Sequence, residues 1–154
     1  MNFRLKTALA GAGSAALLLG ALGSQFIGGL APCHLCLLQR WPHLAAIIIA
    51  GAALATGQRL LALLGALAAA VTAGIGLYHT GVERDIFEGP TSCTSSSTAS
   101  VSADQLFDQI MSAPLIRCDE VAFQFLGLSM ASWNALLSLV LVGVWLWAWR
   151  DQRA

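Results

Sequence analysis

Four stretches of this chain carry no Asp, Glu, Lys or Arg: Thr7 to Gln39, Trp41 to Gln58, Leu60 to Val82 and Val121 to Trp149. A bilayer-spanning helix takes about 20 apolar residues and as few as about 17, so each stretch has room for one. Hydrocarbon offers no partner for a backbone N–H or C=O, and none of the stretches alternates as a barrel strand would, so helices are the form they must take. Of the 154 residues, 57% are hydrophobic and 10% charged, against about half and a quarter in a soluble domain, which excludes an ordinary soluble enzyme. Eight basic residues balance eight acidic ones, which leaves no global electrostatic case for nucleic acid as a partner.

The expected architecture is an all-α membrane protein, a single domain over 1–154 built as a four-helix bundle with spans at about 7–29, 41–56, 60–79 and 128–149. The first apolar run is longer than the roughly 7–15 residues of a signal peptide and shows no convincing small-x-small cleavage site, so it reads as a span. Gly57-Gln58-Arg59 joins the middle pair as a hairpin. Small-residue runs such as Gly11-Ala12-Gly13-Ser14-Ala15-Ala16 and Gly65-Ala66-Leu67-Ala68-Ala69-Ala70 offer surfaces for close helix approach.

Sidedness follows from the charges. One side holds Arg4, Lys6, Arg59, Arg150 and Arg153 with the single acid Asp151; the other holds Arg40, Arg84 and Arg117 against seven acids. The basic side is the cytoplasmic one, which puts both termini inside a bacterial inner membrane and gives Trp145, Trp147 and Trp149 the inner interfacial belt. Two loops, about 30–40 and 80–127, then face outward and contain all four cysteines: Cys33, Cys36, Cys93 and Cys118. An even number of cysteines confined to an oxidising compartment points to disulfide chemistry and away from a metal.

Cys33-His34-Leu35-Cys36 alone serves redox enzymes, zinc sites and structural bridges alike. Zinc wants a second close pair or closely spaced histidines, and Cys93 and Cys118 stand far apart in the chain. A Cys-x-x-Cys bridge closes too small a loop to stabilise much, so redox turnover is its better use. Cys36 lies where the second helix begins and Arg40 one turn further on, and helix N–H groups and a guanidinium both favour a thiolate there; Arg40 also suits a snorkelling interface anchor. Cys93 sits in a Ser/Thr-rich segment open to exchange with a partner's thiolate. Ser102-Ala103-Asp104-Gln105 resembles a capping box, and Leu106, Phe107, Ile110 and Met111 share a face, which predicts a short amphipathic interfacial helix ended by Pro114.

Together, Cys33-His34-Leu35-Cys36-Leu37-Leu38-Gln39-Arg40, Tyr78-His79-Thr80-Gly81-Val82-Glu83 leading to Gly89-Pro90-Thr91-Ser92-Cys93, and Cys118-Asp119-Glu120 followed by Phe125-Leu126-Gly127-Leu128-Ser129 and Trp133-Asn134 resemble the disulfide bond formation protein B (DsbB) family. The resemblance implies a membrane thiol oxidase that reoxidises DsbA, a periplasmic thioredoxin-fold dithiol protein, and passes the electrons to a membrane quinone, ubiquinone ahead of menaquinone. By the same resemblance the partner attacks Cys93 of a Cys93–Cys118 disulfide, Cys118 then attacks Cys33, and the freed Cys36 meets the quinone with Arg40 stabilising negative charge. Tyr78 and His79, near the outer end of the third helix, are candidates to contact the quinone, and Phe123 stands at the family's aromatic quinone contact, five positions after Cys118, where better-known members carry tryptophan. An oxidant as strong as DsbA, at about −120 mV, needs a still stronger acceptor downstream, which a lipid-dissolved quinone provides.

Three other readings stay open at this level: a sister oxidase serving one specialised dithiol partner, a noncatalytic scaffold with structural bridges, and electron flow in reverse. The last lacks any cysteine on the inner side to carry electrons.

Overall fold

A computed structural model describes residues 2–90 and 117–150. Helix α1, Phe3–Phe26, is capped by Asn2, whose side-chain oxygen accepts the Leu5 N–H at 3.0 Å. Helix α2, His34–Thr56, is capped by Cys33 and stops at Gly57, whose left-handed φ of 69° is the conformation glycine tolerates best. Helix α3, Leu60–Val82, follows after the short connection already anticipated. Strands β1, Gln124–Phe125, and β2, Leu128–Ser129, pair antiparallel. The turn between them, Leu126 at φ 52° and Gly127 at φ 77°, has the positive φ at both central positions that a type I′ hairpin needs. Helix α4, Met130–Arg150, is the last element among the described residues.

The helices contain 21 to 24 residues, roughly 30–36 Å at 1.5 Å per residue, which matches a hydrocarbon core. All four are long and apolar enough to cross a membrane. Helix α3 packs on α2 and α4, and α1 on the same two, so the four close into a bundle. Its core is largely alanine: Ala10, Ala50, Ala62, Ala66 and Ala69, with Leu141 and Trp145 as the bulky members. Larger apolar side chains such as Leu60, Leu67 and Val140 point outward, where lipid solvates them as well as a core would, so association rests on close packing. A Cβ on Gly11 would stand 2.6 Å from Ala50 Cβ, and one on Gly65 would stand 2.6 Å from the Trp145 ring.

The structure departs from expectation at three places. The second apolar span, expected from about Trp41, is part of a helix that begins at His34, just before the start expected at Cys36, because Cys33 caps it and Arg40, which bounds the uncharged run, is held by α1: its Nη1 donates to Gln25 Oε1 at 2.6 Å. The first outer connection therefore shrinks to 27–33. The fourth helix is preceded by the β1–β2 hairpin. Trp145 is fully buried against Gly65, not in an interfacial belt, whereas Trp147 and Trp149 are exposed. The amphipathic helix expected near 102–114 lies outside the described residues.

Candidate functional site

The site is assembled where α2 begins, α3 ends and the chain returns to α4. Extended backbone at Cys33 aims its sulfur back over the first turn of α2, so Cys33 Sγ accepts the Cys36 N–H at 3.2 Å. The Cys33 thiol also donates to Cys36 Sγ at 2.8 Å. Cys33 is buried, Cys36 half-buried, and both are free. The hydrogen bond to the Cys36 sulfur, and then burial, push the Cys33 thiol far above the ordinary range. Cys36 is thus the acceptor of the pair and the member built to carry negative charge.

Cys118 is disulfide-bonded and packs in one apolar cluster with Cys33, Leu35 and Val82, with Cys36 against it. His79, on α3, bridges the pair and this loop: its Nε2 lies 3.6 Å from Cys33 Sγ, and it hydrogen-bonds the Cys118 backbone. Three of the four cysteines therefore meet, while Cys93 lies outside the described residues. The two free sulfurs and a His79 ring nitrogen fall within 4.8 Å of one another, three ligand atoms where a structural zinc takes four.

Below the cysteines a chain of polar side chains runs into the bundle. Gln39 Nε2 donates to Leu35 O at 3.2 Å and faces His79 Nδ1 at 3.1 Å. Asn134 Nδ2 donates to Gln39 Oε1 at 2.6 Å, and Asn134 Oδ1 meets His43 Nε2 at 2.9 Å. Thr72, from α3, donates to Gln39 O at 3.2 Å. Beside it a second group links α3 to α4: Ser129 donates to Glu83 Oε2, and Thr80 and Ser132 hydroxyls lie 3.1 Å apart. Burial raises the Glu83 carboxyl above its ordinary value, partly opposed by the Ser129 hydrogen bond.

An apolar cavity of about 320 Å³ opens beside this chain, between α1, α2 and the approach to α4. Cys36, Arg40, His43, His79, Phe123 and Trp133 are among its walls. Two of its buried nitrogens, Arg40 Nε and His43 Nδ1, have no partner. Tyr78 is not brought to this cavity: its hydroxyl donates to Glu88 O at 2.8 Å and its ring stacks on Phe87 at 5.8 Å. A second cavity, of about 570 Å³, is lined by Val82, Phe87, Arg117, Cys118 and Asp119 among others. At its rim the Arg117 guanidinium grips both Asp119 oxygens and holds that carboxyl below the usual range.

Sequence reasoning singled out Cys33, Cys36, Arg40, His79 and Phe123, which this end of the bundle brings together, but gave no role to Gln39, His43, Thr72 or Asn134. The available signal was four polar side chains inside apolar spans, where an uncompensated polar group is costly and so marks function.

Residues 3–148 match the family model described as disulfide bond formation protein DsbB. The disulfide bond formation protein B of Xanthomonas axonopodis pv. citri is 30% identical, covering 96% of this chain and 88% of that protein. That of Saccharophagus degradans is 28% identical, covering 94% of this chain and 92% of its own. An uncharacterized protein of Rickettsia prowazekii is 29% identical over 77% of this chain and 72% of its own. No solved structure matches the chain. Four membrane-spanning helices, three cysteines gathered at one end and a family match over nearly the whole chain agree: this multi-pass membrane protein belongs to the DsbB family of disulfide-forming oxidoreductases.

Proposed function

We propose that this chain oxidises the dithiol of a DsbA-like periplasmic thioredoxin-fold protein and that a membrane quinone is the electron acceptor, with the cysteine end facing the periplasm and both termini cytoplasmic. The observation that carries the reading is the position of Cys36: it forms part of the wall of an apolar cavity while Cys33 and Cys118 pack together behind it. Partner exchange happens at one face of this cluster and electron delivery at the other.

In this reading the partner's thiolate attacks Cys93 Sγ of a Cys93–Cys118 disulfide and Cys118 leaves as thiolate. Cys118 then attacks Cys33 Sγ of a Cys33–Cys36 disulfide, and Cys36 leaves. The outer cavity beside Cys118 gives the partner access. Cys33, protonated in the reduced pair, hands its hydrogen bond to Cys36. His79 orients the Cys33 sulfur, and Arg40 balances negative charge at the cavity wall.

The cavity fits a quinone head group. It is apolar, it is walled by Phe123 and Trp133 for stacking, and two of its wall residues, Arg40 and His43, each carry a buried nitrogen without a partner. Its volume, about 320 Å³, is at the lower end of ligand pockets and suits a single quinone head group. A quinone, when bound, takes up the two electrons and two protons released as each disulfide is made. The free Cys33 and Cys36 thiols speak against a permanent bridge between those two residues.

Trapping tests the partner step. A DsbA-like protein with its second cysteine replaced by Ser should form a mixed disulfide with the native chain that is lost in Cys93→Ser and kept in Cys33→Ser. Capture that survives Cys93→Ser would place the entry of electrons elsewhere.

A further inference from the structure

Hydrogen-bond polarity fixes where His43 carries its proton. The Leu35 carbonyl can only accept, so the nitrogen of Gln39 faces it at 3.2 Å, and Gln39 Oε1 is left to accept from Asn134 Nδ2 at 2.6 Å. Asn134 therefore turns its oxygen to His43 Nε2 at 2.9 Å, and an amide oxygen cannot donate. Thr72 agrees: its hydroxyl hydrogen goes to Gln39 O, its oxygen accepts from Asn134 Nδ2 at 3.2 Å, and only lone-pair density remains toward His43 Nε2 at 3.3 Å. Neutral His43 is thus the Nε2–H tautomer, and Nδ1 is a bare acceptor.

That nitrogen is buried without a partner, on a residue only 3% exposed that lines the same cavity as Cys36. His43 follows Cys36 by seven residues, two turns along one face of α2, or roughly 10 Å. Arg40, between them in sequence, contributes the opposite polarity through an unpartnered Nε–H.

An oxidised quinone presents two carbonyl oxygens, which accept only; the reduced ring presents hydroxyls. We infer that His43 Nδ1 accepts a hydroxyl of the reduced ring, and that Gln39 and Asn134, by locking its tautomer, make the cavity prefer quinol to quinone. The inference rests on the quinone reading above. A site that binds the reduced form more tightly shifts the bound couple toward reduction, which helps draw electrons from a strongly oxidising partner.

The test uses full-length protein in detergent, with Cys36→Ser to prevent turnover, and measures the Kd of ubiquinone-1 and of ubiquinol-1 by quenching of tryptophan fluorescence, Trp133 being in the cavity wall. His43→Gln keeps a donor for Asn134 Oδ1 but puts no acceptor at the place of Nδ1. It should weaken ubiquinol binding by about three- to tenfold, the range for one neutral hydrogen bond, with ubiquinone changed less than about twofold. His43→Asn, whose Oδ1 falls near the place of Nδ1, should keep the preference for ubiquinol. Equal weakening of both forms by His43→Gln would make His43 merely structural and overturn the inference. Nitrogen-15 histidine NMR of the unliganded native chain tests it independently of folding of the variants: the Nε2–H tautomer is expected, and an Nδ1–H tautomer would overturn it. A native chain that binds both forms equally sinks this inference alone, whereas one that binds neither sinks the quinone reading with it.

Discussion

Cys33 and Cys36 differ in surroundings although three positions separate them. Cys33 is buried, accepts a backbone N–H and gives its own hydrogen away, so its thiol stays protonated well above neutral pH. Brief iodoacetamide treatment of the reduced protein at pH 7 should therefore label Cys36 faster than Cys33 by about tenfold or more, read by peptide mass spectrometry, since only the thiolate reacts. Comparable labelling would show that the asymmetry is not operating. Glu83 makes the opposite kind of prediction. Its carboxyl is raised by burial, so its protonated form favours the fold: that stability is complete below the unfolded-state value and is lost as pH rises through the elevated one. Glu83→Gln should flatten this part of the pH profile, and thermal melts in detergent from acid to neutral pH would show the native chain losing ground to the variant. Asn134→Leu would leave Gln39 Oε1 unpaired inside the bundle and His43 Nε2 with only the Thr72 hydroxyl at 3.3 Å, and should cost about 1–3 kcal/mol.

The helices associate because glycine and alanine let them approach, as at Gly65, where a Cβ would stand 2.6 Å from the Trp145 ring. Gly65→Ala should destabilise the α3–α4 contact by about 1–3 kcal/mol, and Trp145→Leu in the same chain should recover part of that loss, a coupling that a double-mutant cycle measures. The elements also show how far a sequence can be read. Four spans were legible because uncharged runs of bilayer length leave only one backbone solution, and the turn at Gly57 was legible from its neighbours. The full length of the second span was not, since Arg40 interrupts the uncharged run until Gln25 and Ala21 of α1 are seen to hold the guanidinium. The β1–β2 hairpin was hidden because Leu126 adopts a left-handed φ of 52°, a conformation a sequence pattern assigns to glycine or asparagine. Cys33, Cys36 and Arg40 could be found from spacing on one helix. The set of Gln39, His43, Thr72 and Asn134 could not, because it is drawn from three helices whose rotational register only the packed bundle fixes.

Across the described residues, antiparallel helices collect Arg4, Arg59 and Arg150 at one end and Cys33, Cys36, Cys118, His79 and Glu83 at the other. If the basic end is cytoplasmic, a fluorescent reporter that matures only in the cytoplasm should light up when fused after residue 150, and periplasmic alkaline phosphatase should be active when fused after Gly89; the reverse pattern would invert the topology. With that orientation the partner meets the cluster from water while Cys36 faces a cavity among the helices. In the proposed reaction, electrons leave through Cys36 to a quinone in that cavity. Its most direct measurement is the absorbance change of ubiquinone-1 on adding a reduced DsbA-like dithiol protein to the purified chain, native and Cys36→Ser. Stoichiometric quinol formation by the native chain, with the rate falling at least about a hundredfold in the variant, is the predicted result. No turnover by a folded native chain, or full turnover by Cys36→Ser, would contradict it.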